Sequence, residues 1–83
     1  MPEAFIVTIA DSAGRFETDL EIPATLTFSS FKAKLLEILK MMDPRVFGGL
    51  RDYNLLFNNY ALSANDSLAS IGAFDGSRLV VKG

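Results

Sequence analysis

Between Thr27 and Met42 the apolar residues Phe28, Phe31, Leu35, Ile38, Leu39 and Met42 fall mostly three or four positions apart. That spacing puts them on one face of an α-helix. Ser29, Ser30, Lys32, Lys34, Glu37 and Lys40 take most of the other positions, and no other stretch shows this period. The flanking segments alternate in twos or are punctuated by Gly, Asn and Asp. A single helix with one apolar stripe must bury it against something, and here only a sheet is on offer. The expectation is an α+β domain: a four- to five-stranded mixed sheet of ββαββ order, packed on one amphipathic helix, plus a short helical turn. With 83 residues the chain has room for one core, so residues 1–83 are read as a single domain. Hydrophobic residues make up 49%, enough for a core without covalent staples.

Phe5 to Asp11 reads as a strand with Phe5, Val7 and Ile9 inward and Ile6, Thr8 and Ala10 outward. Asp11-Ser12-Ala13-Gly14 supplies a turn. Phe16 to Pro23 returns, with Phe16, Thr18, Leu20 and Ile22 on one side and Glu17, Asp19 and Glu21 on the other. Thr27 is the expected N-cap, its hydroxyl accepting from a free backbone N–H. Pro44 ends the helix near Met42. Asp43 to Asp52 reads as irregular, with Val46, Phe47 and Leu50 tucked against the core; an exposed Phe there would be costly. Tyr53 to Phe57 and Tyr60 to Leu62 form a hairpin across Asn58-Asn59, since Asn tolerates the left-handed region. One helical turn is expected at Ser67 to Ile71, burying Leu68 and Ile71. Asp75-Gly76 turns into a final strand, Leu79-Val80-Val81. The first and last strands are expected at the centre of the sheet, parallel to each other, with the second strand at an edge.

Catalysis finds no support. Cys and His are absent, which removes thiolate nucleophiles, disulfides, thiolate zinc sites and His-based triads. Ser12, Ser29, Ser30 and Ser77 have no His partner, and Asp43, Asp52, Asp66 and Asp75 sit at turns. Phe47-Gly48-Gly49-Leu50 has neither the spacing nor the Lys of a phosphate-binding loop. The reading is no enzyme, no cofactor and no metal. A net charge of −2, with both signs mixed along the chain, argues against a nucleic-acid partner. The start, Met-Pro-Glu-Ala, lacks signal-peptide character, and no apolar run approaches the ~18 residues of a membrane span. A cytoplasmic protein without direct membrane insertion is the expectation.

Several phrases of the chain resemble the ubiquitin-like β-grasp family. They are Phe5-Ile-Val-Thr-Ile9, the acidic strand ending Leu20-Glu-Ile-Pro23, the helix Phe28-Ser-Ser-Phe-Lys-Ala-Lys-Leu35, Leu55-Leu-Phe57, Leu62, Asp66-Ser-Leu68 and Leu79-Val-Val81. Asp11-Ser-Ala-Gly-Arg-Phe16, Asp66-Ser-Leu-Ala-Ser-Ile-Gly72 and Asp75-Gly-Ser-Arg-Leu-Val-Val81 look most like the small bacterial ubiquitin-like proteins of type VII (WXG-type) secretion systems, the YukD/EsaB kind. The resemblance implies a cytosolic adaptor or regulatory accessory whose partners are other proteins, including secretion-machine components. One departure concerns the C-terminus. Conjugated modifiers close a flexible tail with Gly-Gly, whereas only Lys82 and Gly83 follow the last strand here, a reach of roughly 7 Å. The expectation is therefore against a covalent modifier or sulfur carrier. A ubiquitin-like domain cut from a larger membrane-associated protein is the other alternative.

With recognition as the remaining task, alternation selects a surface. If Leu55, Leu79 and Val81 face inward, Leu56 and Val80 face out. In ubiquitin the main contact patch centres on an apolar residue of the third strand; the resemblance puts Leu56 there, Val80 beside it and Lys82 next on the same face. Asn58, Asn59 and Tyr60 supply the adjoining hairpin. Arg78 and Tyr60 are residue types enriched at interfaces. The competing reading is that Leu56 and Val80 are ordinary exposed apolar residues. Ranked below this patch is the edge of the second strand, where Glu17, Asp19 and Glu21 either block pairing or select a basic peptide.

Overall fold

The computed structural model describes residues 3–83. Met1 and Pro2, part of the N-terminal stretch read above as lacking signal-peptide character, lie outside the described residues. Strand β1 (Ala4–Asp11) and strand β2 (Glu17–Pro23) pair antiparallel in an unbroken register from Ala4↔Pro23 to Ala10↔Glu17. Gly14 takes φ +75° in the turn between them. The turn is also tied by Asp11, only 7% exposed. Its carboxylate accepts from the Ala13 N–H at 3.2 Å and from Arg15 Nε at 2.8 Å. The Arg15 hydrogen bond holds that carboxyl below the usual carboxylate range, against the opposing pull of desolvation.

Helix α1 (Phe28–Met42) follows, with Thr27 extended at the N-cap position. The Thr27 hydroxyl does not cap. It lies 2.8 Å from Ser30 Oγ and 3.2 Å from Ser29 Oγ. The Phe28 and Ser29 N–H groups instead donate to the carbonyls of Asp66 at 2.7 Å and Ala64 at 3.0 Å. A distant loop thus satisfies donors that a side chain was expected to satisfy. Phe28, Phe31, Leu35 and Leu39 are buried as the period requires; Ile38 is half-buried and Met42 is 48% exposed. The stripe stops one turn early because the chain folds at once into helix α2 (Pro44–Phe47), whose Phe47 enters the core at 1% exposure. This helix replaces part of the expected irregular segment. Asp43 ends α1, its N–H donating to the Leu39 carbonyl, and caps α2 by accepting from the Arg45 and Val46 N–H groups, with Pro44 at the first helical position. Val46 and Leu50 pack against the core as expected.

Strand β3 (Asn54–Phe57), strand β4 (Tyr60–Ala61) and strand β5 (Arg78–Lys82) complete a five-stranded sheet of order β2-β1-β5-β3-β4. Strand β5 runs parallel to β1 and antiparallel to β3, so the two chain ends meet at the sheet centre. Asn58 and Asn59 turn the β3–β4 hairpin with φ of 50° and 67°. The expected helical turn at Ser67 to Ile71 does not propagate. One Ile71 N–H to Ser67 carbonyl bond of 3.2 Å forms; Leu68 is fully buried and Ile71 only partly. The short helical piece of the fold is α2.

One face of the sheet presents Val7, Ile9, Leu55, Leu79 and Val81, all at 0–1% exposure, to the four buried residues of α1. Each such burial stabilises by roughly 1.5–3 kcal/mol. Edge-to-face rings add specificity: Phe16–Phe47 at 5.1 Å, Phe28–Phe31 at 5.4 Å and Phe28–Tyr53 at 5.8 Å. The Tyr53 hydroxyl donates to the Lys32 carbonyl at 2.7 Å, fastening the start of β3 to α1.

Candidate functional site

The opposite face of the sheet carries no helix, and its side chains are set in rows by the strand register. One row runs Glu17, Ala10, Val80, Leu56, Ala61 across all five strands. The next holds Asp19, Thr8 and Arg78, and a third pairs Lys82 with Asn54. Leu56 and Val80 are direct cross-strand partners and both are half-buried. Ala10 was expected to be exposed on this face and is instead fully buried. It is a small side chain on a central strand, flanked in register by Glu17 and Val80, and the Arg78 guanidinium reaches across β1 to the Glu17 carboxylate.

Five of the six residues singled out for partner binding line one depression. Leu56, Asn58, Arg78, Val80 and Lys82, with Ser12 and Asn59, surround about 630 Å³. Two apolar side chains form its floor. Turn amides, a serine hydroxyl and two cationic side chains form its rim. Among the described residues Arg78 is engaged by Glu17, while Lys82 forms no ion pair. The arrangement offers apolar contact, amide hydrogen bonds and one unpaired cation. It holds no acid–base pair and no nucleophile beside a base.

Tyr60 departs from the expected constellation. It pairs with Phe57, so it belongs to the other face of the hairpin from Leu56 and Ala61. Its hydroxyl donates to the Asp66 carboxylate at 2.6 Å, which holds Asp66 below the ordinary carboxylate range. Tyr60 therefore lines a separate hollow with Phe57, Asp66, Ser70 and Ile71, and Asn58 is common to both. Sequence reasoning missed Ser12 and Glu17 as members or partners of the depression. Ser12 arrives there because its N–H donates to the Val81 carbonyl at 3.0 Å, and Glu17 meets Arg78 across 61 residues of chain. Neither contact has a local signal. Only the parallel pairing of β1 with β5 creates them.

Among the described residues no group of three or more acidic, His or Cys side chains is arranged to hold a metal ion. No described helix is long and apolar enough to cross a membrane.

No family model and no curated protein matches the sequence. Solved structures do match it. The ubiquitin-like domain of the Mycobacterium tuberculosis type VII secretion system protein ECCD1 is 25% identical, aligns over 100% of both chains and has a TM-score of 0.77. The EccD5 ubiquitin-like domain from Mycobacterium xenopi aligns over 98% of this chain and 94% of its own at 19% identity, with a TM-score of 0.79. A chain of the MycP5-free ESX-5 inner membrane complex matches over 98% of this chain and 21% of its own, at 20% identity and a TM-score of 0.78. With the pairing order, the single long helix and these likenesses together, the chain is a ubiquitin-like β-grasp domain that resembles the ubiquitin-like domains of type VII secretion proteins.

Proposed function

We propose that this domain is a non-covalent protein-interaction module of a bacterial type VII secretion system, acting as a cytosolic adaptor or regulator. It docks through the depression around Leu56 and Val80. The carrying observation is that these two apolar side chains are in direct register on the uncovered face, ringed by Asn58, Arg78 and Lys82. A half-buried apolar centre with a polar rim is the anatomy of a recognition surface. The likeness to the ECCD1 domain supports the secretion context.

A second reading has its own support. The match to the ESX-5 complex covers only 21% of that longer chain, which favours a ubiquitin-like unit that is one part of a larger membrane-associated protein. Immunoblotting of the native host for the molecular mass of the protein carrying this sequence separates the two.

The test of the module itself is affinity capture of detergent-solubilised secretion components by the wild-type chain and by Leu56→Ala and Val80→Asp variants. Each variant stays folded and loses roughly 1–3 kcal/mol of partner affinity if the patch is a hot spot. Unchanged capture by both variants discards this site. A C-terminal adduct on incubation with ATP and an activating enzyme, read by intact mass, would instead support covalent attachment.

A further inference from the structure

The β2 edge of the sheet carries a second docking site, separate from the Leu56–Val80 depression and independent of its assignment. Strand β2 is the terminal strand, paired only with β1. The Ala24 N–H donates to the Glu3 carbonyl and the Phe16 carbonyl accepts from the Asp11 N–H, so the even-numbered residues of β2 point their backbone groups at β1. By alternation, the outward backbone groups belong to Glu17, Asp19 and Glu21. The side chains of these same residues lie on the uncovered face of the sheet.

Beside this edge, on the helix side, runs an apolar groove of about 240 Å³. Leu20 and Ile22 of β2, Leu26, and Phe31, Leu35 and Ile38 of α1 line it. Leu26 is 37% exposed and Ile38 half-buried, so the groove is open to solvent along the edge. An added strand would therefore meet acids with one set of side chains and the groove with the other.

We propose that β2 accepts an extended peptide in which basic residues alternate with apolar ones. Its backbone would pair with the free groups of Glu17, Asp19 and Glu21. Its basic side chains would lie beside those three carboxylates, and its apolar side chains would enter the groove between β2 and α1. Charge selects this occupant over a second copy of the chain. Two β2 edges paired antiparallel would oppose acid to acid, which is destabilising. The acidic row thus blocks self-pairing and leaves the edge open to a basic strand. Glu17 is engaged by Arg78 and Asp19 accepts from the Thr8 hydroxyl at 2.7 Å, whereas Glu21 forms no ion pair among the described residues. Glu21 is therefore the most available of the three.

The test uses the whole ¹⁵N-labelled chain and a capped heptapeptide alternating lysine and valine. Amide shifts are expected to concentrate at 17–22 of β2 and 34–38 of α1. N-methylation of one alternate set of peptide residues abolishes binding while methylation of the other set spares it: the lysines for antiparallel addition, the valines for parallel. Glu21→Lys weakens binding by at least about tenfold, since it sets like charges together. A peptide of the same composition with its lysines and valines in separate blocks binds far more weakly. The proposal is overturned if the blocked peptide binds equally well, if both methylated peptides behave alike, if Glu21→Lys has no effect, or if about 1 mM peptide gives no shifts.

Discussion

The two faces of this sheet are made from the same strands and often from adjacent residues, yet they differ in kind. On the helix-covered face Leu55 and Leu79 are fully buried. One residue further along each strand, Leu56 and Val80 are only half-buried, in direct register, and bordered by turn amides and cations. The covered face has one long apolar partner, α1, laid over it. The bare face has none and is finished instead by cross-strand polar contacts: Arg78 to Glu17 and Thr8 to Asp19. Equal hydrophobicity along a strand therefore does not mean equal role. What separates a core leucine from a recognition leucine is which side of the pleat the helix occupies.

The sharpest attack on this contrast is a three-variant series read by urea denaturation. Phe31→Ala removes a ring buried to 6% exposure and is expected to cost about 3–5 kcal/mol. Leu55→Ala is expected to cost about 2–5 kcal/mol. Leu56→Ala, its immediate neighbour, is expected to cost under about 1 kcal/mol, because its side chain is not enclosed. Equal losses at Leu55 and Leu56 would collapse the distinction between the faces.

The next test concerns the one buried carboxylate at the end of the central strand. Asp11→Asn keeps the shape but removes the charge that Arg15 holds, with an expected loss of about 1–3 kcal/mol near neutral pH. The folded-state pKa of Asp11 is depressed, so its stabilisation is present above the unfolded value of about 4 and fades as pH falls through the folded value. The margin of wild type over Asp11→Asn should thus hold constant from pH 7 to about pH 5 and shrink below about pH 4. A margin that is flat down to pH 2, measured by chemical denaturation, would show that the ion pair contributes nothing.

The smallest expected effect is at the start of α1. A capping Thr replaced by Ala typically costs ~1 kcal/mol. Here the Thr27 hydroxyl caps nothing, and the first donors of α1 are met by Asp66 and Ala64. Thr27→Ala is expected to cost under about 0.5 kcal/mol, a surface-type change. A full capping loss would return the N-terminus to local control.

Much of the architecture was legible because it rests on short-range periodicity. The spacing of Phe28, Phe31, Leu35 and Leu39 marks the helix, and the Asn58-Asn59 pair marks a hairpin that it then forms. Alternation in Leu79-Val80-Val81 is enough to send Val80 outward. Less was legible where a local signal is shorter than a period. The Asp43-Pro44 pair starts a four-residue helix that no repeat could announce. Tyr60 was grouped with Leu56 by proximity in the chain, and the Phe57↔Tyr60 register sends it to the other face.

Side-chain chemistry and spacing alone determined that this chain makes one helix on one mixed sheet, because helix and strand periods are properties of neighbouring residues. Which groups meet across the sheet was decided only by the fold. The parallel pairing of β1 with β5 brings Ser12 to the Leu56–Val80 depression and Arg78 to Glu17, and the return of the 64–66 loop caps α1 in place of Thr27. Those contacts join residues tens of positions apart, and no local preference encodes them.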